Sequence, residues 1–188
     1  HHSTKSELTN LFLDKDLVRL SAVDHEELGK AYAKWNQDSE LTRLMDARMV
    51  SLRSAKSISD FFEKENKEMS PVEHPFTIRA LEDNRLLGDI GLYVIGDWMP
   101  RDAFVGIAIA NRNDWGKGYG TDAMRLAVHY AFVELNLRRV SLGLHAYNER
   151  ALKSYQKVGF TLEGRMRGEG LRDGVRFDSL WMGILREE

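Results

Sequence analysis

The chain has 188 residues, a formal net charge of −2 and no cysteine. That length suits one domain, which buries roughly 70% of its unfolded surface. The missing cysteine excludes a disulfide framework, thiolate metal sites and a cysteine nucleophile, and it suits a reducing compartment. A pI near 6.4 lies well below the ~9 typical of a basic nucleic-acid binder. With 43% hydrophobic and 30% charged residues the composition is that of an ordinary globular protein. No apolar run approaches the ~18 residues of a transmembrane helix, so neither nucleic acid nor membrane is an expected partner. His1-His2-Ser3 resembles an affinity-tag remnant and is set aside. Residues 4–188 are expected to be one cytoplasmic domain.

In chain order, Leu17 to Leu20 is strand-like, and Asp24 is placed to cap a helix running to about Trp35. Asp38 to Leu52 and Ser57 to Lys67 read as helical, the latter amphipathic through Ile58, Phe61 and Phe62. Strands follow at Pro75 to Leu81 and Arg85 to Ile95, separated by the turn residues Glu82-Asp83-Asn84. Ala103 to Ala110 is a strand with unequal faces: Val105, Ile107 and Ile109 on one, Gly106, Ala108 and Ala110 on the other. The small face predicts close packing by a helix or by an extended ligand. Thr121 to Leu135 is the strongest helix, with Asp122, Arg125 and His129 as its predicted solvent stripe. Val140, Leu142 and Leu144 mark a strand, and a helix starts near Asn148 and ends at Gly159. Asp173-Gly174 joins two final strands, about Leu162 to Gly170 and Arg176 to Leu185, as a hairpin. The order predicts an α/β (α+β) fold with a mixed sheet.

Gly116-Lys117-Gly118-Tyr119-Gly120-Thr121 sits between a strand and the strongest helix. Glycines let backbone amides approach a ligand, and a helix N-terminus adds unpaired N–H groups that suit phosphate. Nucleotide fingerprints fail on spacing. A P-loop requires glycine where Asn111 stands and Ser or Thr where Gly118 stands, and a dinucleotide loop requires glycine in place of Thr121. By itself the segment also reads as a tight structural turn.

Downstream, Asn148, Ala151, Tyr155, Gly159 and Phe160 complete the spacing Asn-x-x-Ala-x-x-x-Tyr-x-x-x-Gly-Phe. Together the two motifs resemble those of the GNAT superfamily of acetyltransferases, with Trp115 where that family usually has Gln or Arg. Trp35-Asn36-Gln37-Asp38, Trp115 to Gly118 and Asp173-Gly174 with Phe177-Asp178 are similar to the branch that acetylates ribosomal-protein N-termini. The resemblance covers nearly the whole chain. It implies a mostly antiparallel mixed sheet flanked by helices, with acetyl-CoA as donor and a primary amine as acceptor, and no metal. It places the CoA pyrophosphate on Trp115, Gly116, Lys117, Gly118, Tyr119, Gly120 and Thr121. The pantetheine arm falls along Ile107 to Ile109, with Asn148 holding its amide or capping its own helix.

Tyr155 is the implied proton donor to the departing thiolate. With reference values of about 10 and 8.5 that transfer is uphill by roughly 2 kcal/mol, so Tyr155 needs a lowered pKa or acts as a hydrogen-bond donor. Glu169 is the general-base candidate, on a strand whose Glu163, Arg165, Arg167 and Glu169 alternate as one polar face. His145, His74 and Glu73 are weaker candidates. With no strong base in view the reading leans toward α-amines, of which about a quarter to a third are neutral at pH 7.4 against ~0.1% of lysines. The acceptor is thus expected to be a protein N-terminus. The alternatives are a small-molecule amine and a non-catalytic acyl-CoA-binding module. A polyamine site would gather carboxylates such as Asp38, Glu40 and Asp46. A nucleic-acid reading through Arg165, Arg167, Arg172 and Arg176 is diluted by Glu163, Glu169, Asp173 and Asp178. Edge strands and the final hairpin make a homodimer an expected possibility.

Overall fold

The computed structural model describes residues 15–45, 52–67, 73–95 and 102–188. Seven strands and five helices follow the expected order: β1 (Val18–Ser21), α1 (His25–Trp35), α2 (Ser39–Met45), α3 (Ala55–Lys67), β2 (Glu73–Ala80), β3 (Leu86–Ile95), β4 (Asp102–Ile109), α4 (Tyr119–Val133), β5 (Arg139–His145), α5 (Glu149–Val158), β6 (Thr161–Arg172) and β7 (Val175–Leu185). A short 3-10 turn, Arg112–Asp114, precedes α4. The helix expected over Asp38 to Leu52 is described only as α2. Residues 46–51, Asp46 among them, lie outside the described residues. Leu52 to Ser54 is non-helical because Ser54 starts α3, its Oγ accepting from Ser57 N at 3.1 Å.

The strands form one sheet in the order β1-β2-β3-β4-β5-β7-β6. Every neighbouring pair is antiparallel except β4 with β5. The Asp173-Gly174 turn has φ of +52° and +75°, the left-handed geometry that a tight hairpin requires. Asp24 caps α1, accepting from Glu26 N and Glu27 N at 3.0 Å each.

α4 packs Ala123, Met124, Ala127 and Ala131 into a core with Ile90, Leu92, Ala103, Val105, Val140 and Met182. Ile107 and Ile109 join the edge of that core, so α4 covers the bulky face of β4. The small face is open at Gly106. A Cβ built on Gly106 would meet nothing within 4 Å. α1 and α3 form a second cluster through Leu28, Tyr32 and Ile58, with Leu86 of β3 packed against it.

The predicted solvent stripe on α4 needs one correction. Arg125 and His129 are exposed, but Asp122 is buried at 4% exposure. Its Oδ2 accepts from Leu17 N at 2.8 Å and Val18 N at 3.2 Å, tying the start of β1 to the first turn of α4. A carboxylate there also faces the positive end of the helix. Burial of an acid through backbone donors from 104 residues away has no local sequence signature. Asp122→Ala strands those donors and is expected to destabilise the fold by about 1–3 kcal/mol, read as a lower denaturant midpoint at unchanged slope.

Candidate active site

β4 and β5 pair only over Asp102↔Arg139, Ala103↔Val140 and Phe104↔Ser141, and then separate. On its other side β4 stays paired with β3 as far as Ile109. Ala110 N donates to Leu87 O at 3.0 Å, which fixes the phase of the β3–β4 ladder. Even-numbered residues of β4 bond β3. The N–H and C=O groups of Val105, Ile107 and Ile109 therefore turn toward the gap left by β5.

The gap opens into a cleft of about 700 Å³. Its rim is the glycine loop, where Gly116 and Gly118 hold φ of +72° and +87°. Gly118 begins α4 without any side-chain cap, so the first amides of the helix face outward as donors. The loop is anchored from both sides. Asp114, buried at the end of the 3-10 turn, receives Arg85 Nη1 at 2.8 and 2.9 Å. Trp115 Nε1 donates to Ile109 O at 2.7 Å, and the Arg150 guanidinium lies 3.6 Å above the indole ring. Trp115 thus fixes the loop to β4 through the position where the family usually carries Gln or Arg. Thr121 and Ser154 hydroxyls meet at 2.7 Å, joining α4 to α5.

Of the residues singled out from sequence, Ile107, Ile109, Trp115, Gly116, Gly118, Tyr119, Gly120, Thr121, Asn148, Tyr155 and Glu169 all line this one cleft. Lys117 is exposed and outside the lining. Asn148 caps α5, its Oδ1 accepting from Ala151 N at 3.2 Å, which leaves its NH₂ as the group it can present to the cleft. Tyr155 packs against the core beside Phe160, and burial pushes its hydroxyl up to about 12, Arg150 opposing weakly. The shift runs opposite to the lowering that proton donation to a thiolate requires. The Tyr155 hydroxyl is a donor, not a ready acid.

The single polar face expected for β6 is broken by two register shifts, between Leu162 and Gly164 and between Met166 and Gly170. Glu163 engages Arg139 and Arg165 engages Asp178, while Glu169 alone of that set reaches the cleft. The second shift is pinned by Asp178, whose Oδ1 accepts Gly168 N at 2.8 Å. That amide first, and the Arg165 guanidinium next, hold the Asp178 carboxyl below the usual carboxylate range. His145 lines the cleft between the rings of Tyr147 (5.2 Å) and Phe177 (4.9 Å). His74 and Glu73 lie on β2, away from it.

Arg112 binds Asp38 through Nε at 3.0 Å and through Nη2, and Glu40 through Nη1 at 2.6 Å. One guanidinium is thus shared between two carboxylates. Cleft residues that sequence reading missed are Arg150, Ser154, Trp181 and the pair Tyr32–Asp89. Arg150 and Ser154 sit in the variable positions of the Asn148 motif. Asp89 had a signal, a lone acid inside the apolar run Leu86 to Ile95. Among the described residues no group of His, Asp or Glu is arranged to hold a metal, and no helix is long and apolar enough to cross a membrane.

The family model for the acetyltransferase (GNAT) domain matches residues 18–161. The chain belongs to the GNAT acetyltransferase family. YdaF of Bacillus subtilis, a candidate ribosomal N-acetyltransferase, is 34% identical over 57% of this chain and 58% of its own. The spermidine N(1)-acetyltransferase of Escherichia coli is 30% identical over 70% of this chain and 67% of its own. The Vibrio cholerae spermidine N-acetyltransferase, solved with CoA and spermine, shares the fold at a TM-score of 0.77. It covers 90% of this chain and 96% of its own at 23% identity. The separated strands, uncapped α4 and Asn148–Tyr155 helix of this GNAT protein thus belong to an acetyltransferase.

Proposed function

We propose that this GNAT protein transfers the acetyl group of acetyl-CoA directly to a primary amine, and that the acceptor is the α-amine of a peptide or protein. One observation carries the first part. β4 leaves β5 with the amides and carbonyls of Val105 and Ile107 facing a gap, and the uncapped N-terminus of α4 stands at its mouth. The first group suits the amides of a pantetheine arm, the second suits its pyrophosphate. When bound, acetyl-CoA supplies an activated thioester.

The protein's own groups do the rest. The outward-turned Ile107 N–H would stabilise charge growing on the thioester carbonyl, a contribution of about 2.7–4 kcal/mol when one such donor is lost. The neutral amine nitrogen bonds to the carbonyl carbon, the C–S bond breaks with its electron pair passing to sulfur, and the proton shed by nitrogen passes to solvent, which returns one to the thiolate. Tyr155 donates a hydrogen bond to the sulfur as charge gathers there. Full proton transfer from a hydroxyl near 12 to a thiolate near 8.5 is uphill by roughly 5 kcal/mol, which favours stabilisation over outright protonation. Asn148 fixes the start of α5 and so the placement of Tyr155.

The α-amine reading is supported by the acceptor's own acidity, since about a quarter to a third of α-amines are neutral at pH 7.4, and by the engagement of nearby acids with an arginine. Asp38, just before α2, and Glu40 within it, acids that would draw a polyamine, both engage Arg112. The competing polyamine reading rests on the relatives named for spermidine. Thiol release measured over N-terminal peptides, polyamines, aminoglycosides and amino acids decides between them. Turnover is expected with peptides. Turnover confined to polyamines overturns the acceptor assignment, and acetyl-CoA binding with no turnover on any amine leaves a binding module.

A further inference from the structure

Ile90 and Leu92 of β3 are buried under α4, so Asp89, Gly91 and Tyr93 turn to the opposite face. There the register with β4 sets Asp89 opposite Ala108, Gly91 opposite Gly106 and Tyr93 opposite Phe104. The paired glycines leave a stretch of bare backbone between a carboxylate and an aromatic pair. The Tyr93 ring folds over Gly91, and a Cβ there would stand 3.3 Å from its Oη. Nothing stands within 4 Å of a Cβ on Gly106. At the far end the Tyr32 hydroxyl donates to Asp89 Oδ1. Tyr32 is fixed in turn by Trp35 and Phe62, at ring separations of 5.3 and 5.7 Å. Tyr32, Asp89, Gly91, Tyr93, Gly106 and Ala108 line the cleft.

We propose that Asp89, oriented by Tyr32, is the residue that binds the acceptor's ammonium, and that the Gly91–Gly106 floor admits the chain carrying it. Burial and the Asp89 charge push the Tyr32 hydroxyl well above its ordinary value, so it remains a donor and orients the carboxylate. The groove enters β4 at Gly106, next to Ile107, from the face opposite α4. An amine bound there lies beside the β4–β5 gap. Because the proton must leave before attack, this contact serves binding more than the chemical step, and its loss should appear in KM.

The proposal rests on the acetyl-transfer reading, and its test separates the two. Two variants are made, Asp89→Asn, which retains an oxygen able to accept from Tyr32, and Gly106→Val, whose Cβ meets nothing within 4 Å. The probe is an alanine-initiated tetrapeptide amide, with its N-acetylated form as the blank and spermidine as the second probe. Asp89→Asn should raise KM for the peptide about 10-fold or more, leaving kcat and the KM for acetyl-CoA within about 3-fold. Gly106→Val should lower kcat/KM about 100-fold while the thermal shift caused by acetyl-CoA persists. Unchanged peptide kinetics in both variants overturn the subsite. Saturation-transfer NMR of the same probes with CoA present reads binding without chemistry. Spermidine binding that depends on Asp89, without peptide binding, upholds the subsite and overturns the peptide acceptor. Binding of neither probe to the wild-type protein overturns the subsite, whatever the thiol-release panel shows.

Discussion

Replacing Tyr155 by Phe is expected to lower turnover by about 10- to 1,000-fold with acetyl-CoA affinity almost unchanged. The substitution removes one oxygen from a ring that is packed beside Phe160, so the site keeps its shape. What disappears is the donor to the sulfur, an interaction made mainly as the C–S bond breaks. An unaltered kcat would remove Tyr155 from the chemistry. The same hydroxyl carries a second signature. Tyrosine is neutral when protonated, and a value raised to about 12 means that the folded chain holds this proton more tightly than the unfolded chain does. The associated stability is full below the ordinary value of 10.0 and disappears as the pH climbs through about 12. Wild-type protein should therefore lose stability more steeply over that interval than Tyr155→Phe. Some slope persists in the variant because Tyr32 is raised in the same direction.

Gly118→Asp is expected to abolish acetyl-CoA binding, whereas Gly118→Asn should only weaken it. Gly118 combines φ of +87° with the start of an uncapped helix. A Cβ there comes within 3.3 Å of Leu17 Cδ1, the end of a flexible side chain that can shift. Asn has almost the shape of Asp and tolerates left-handed backbone, so the two variants share their steric and conformational costs. Their difference is one negative charge placed where phosphates are expected. Calorimetry with acetyl-CoA, backed by denaturation of each apo protein, reads it. Equal affinities for the two variants would show that the α4 N-terminus does not hold the pyrophosphate.

Regular elements and linear motifs were legible in the sequence because their signals are local. The Asp24 cap, the Asp173-Gly174 turn and the Asn148 to Phe160 spacing each lie within a few residues. The acceptor side of the cleft was not legible. Tyr32 meets Asp89 across 57 residues, and neither stands in a motif. Asp122 looked like a surface residue by helical period because nothing near it announces the Leu17 and Val18 amides it receives. Alternation on β6 misled for a related reason. Bulges insert residues without changing composition, and each resets which side chains share a face. The small face of β4 was visible as a pattern, but which partner it awaited depended on where α4 came to rest.

α2 is seven residues long and sinks only Leu41 into the protein. Exposed ionic contacts hold much of it in place: Asp38 and Glu40 to Arg112 at one end, Arg43 to Asp173 at the other, with the Tyr147 hydroxyl on Arg43 O. Leu41, Leu44 and Met45 of this same helix line the cleft. Exposed pairs contribute about 0–1 kcal/mol each and weaken as ionic strength rises. The segment roofing the cleft is thus held far less firmly than α4 beneath the sheet, and its opening is among the least costly local excursions of the molecule. Loosening this one short helix would widen the mouth of the cleft while the strands that set its geometry stay paired.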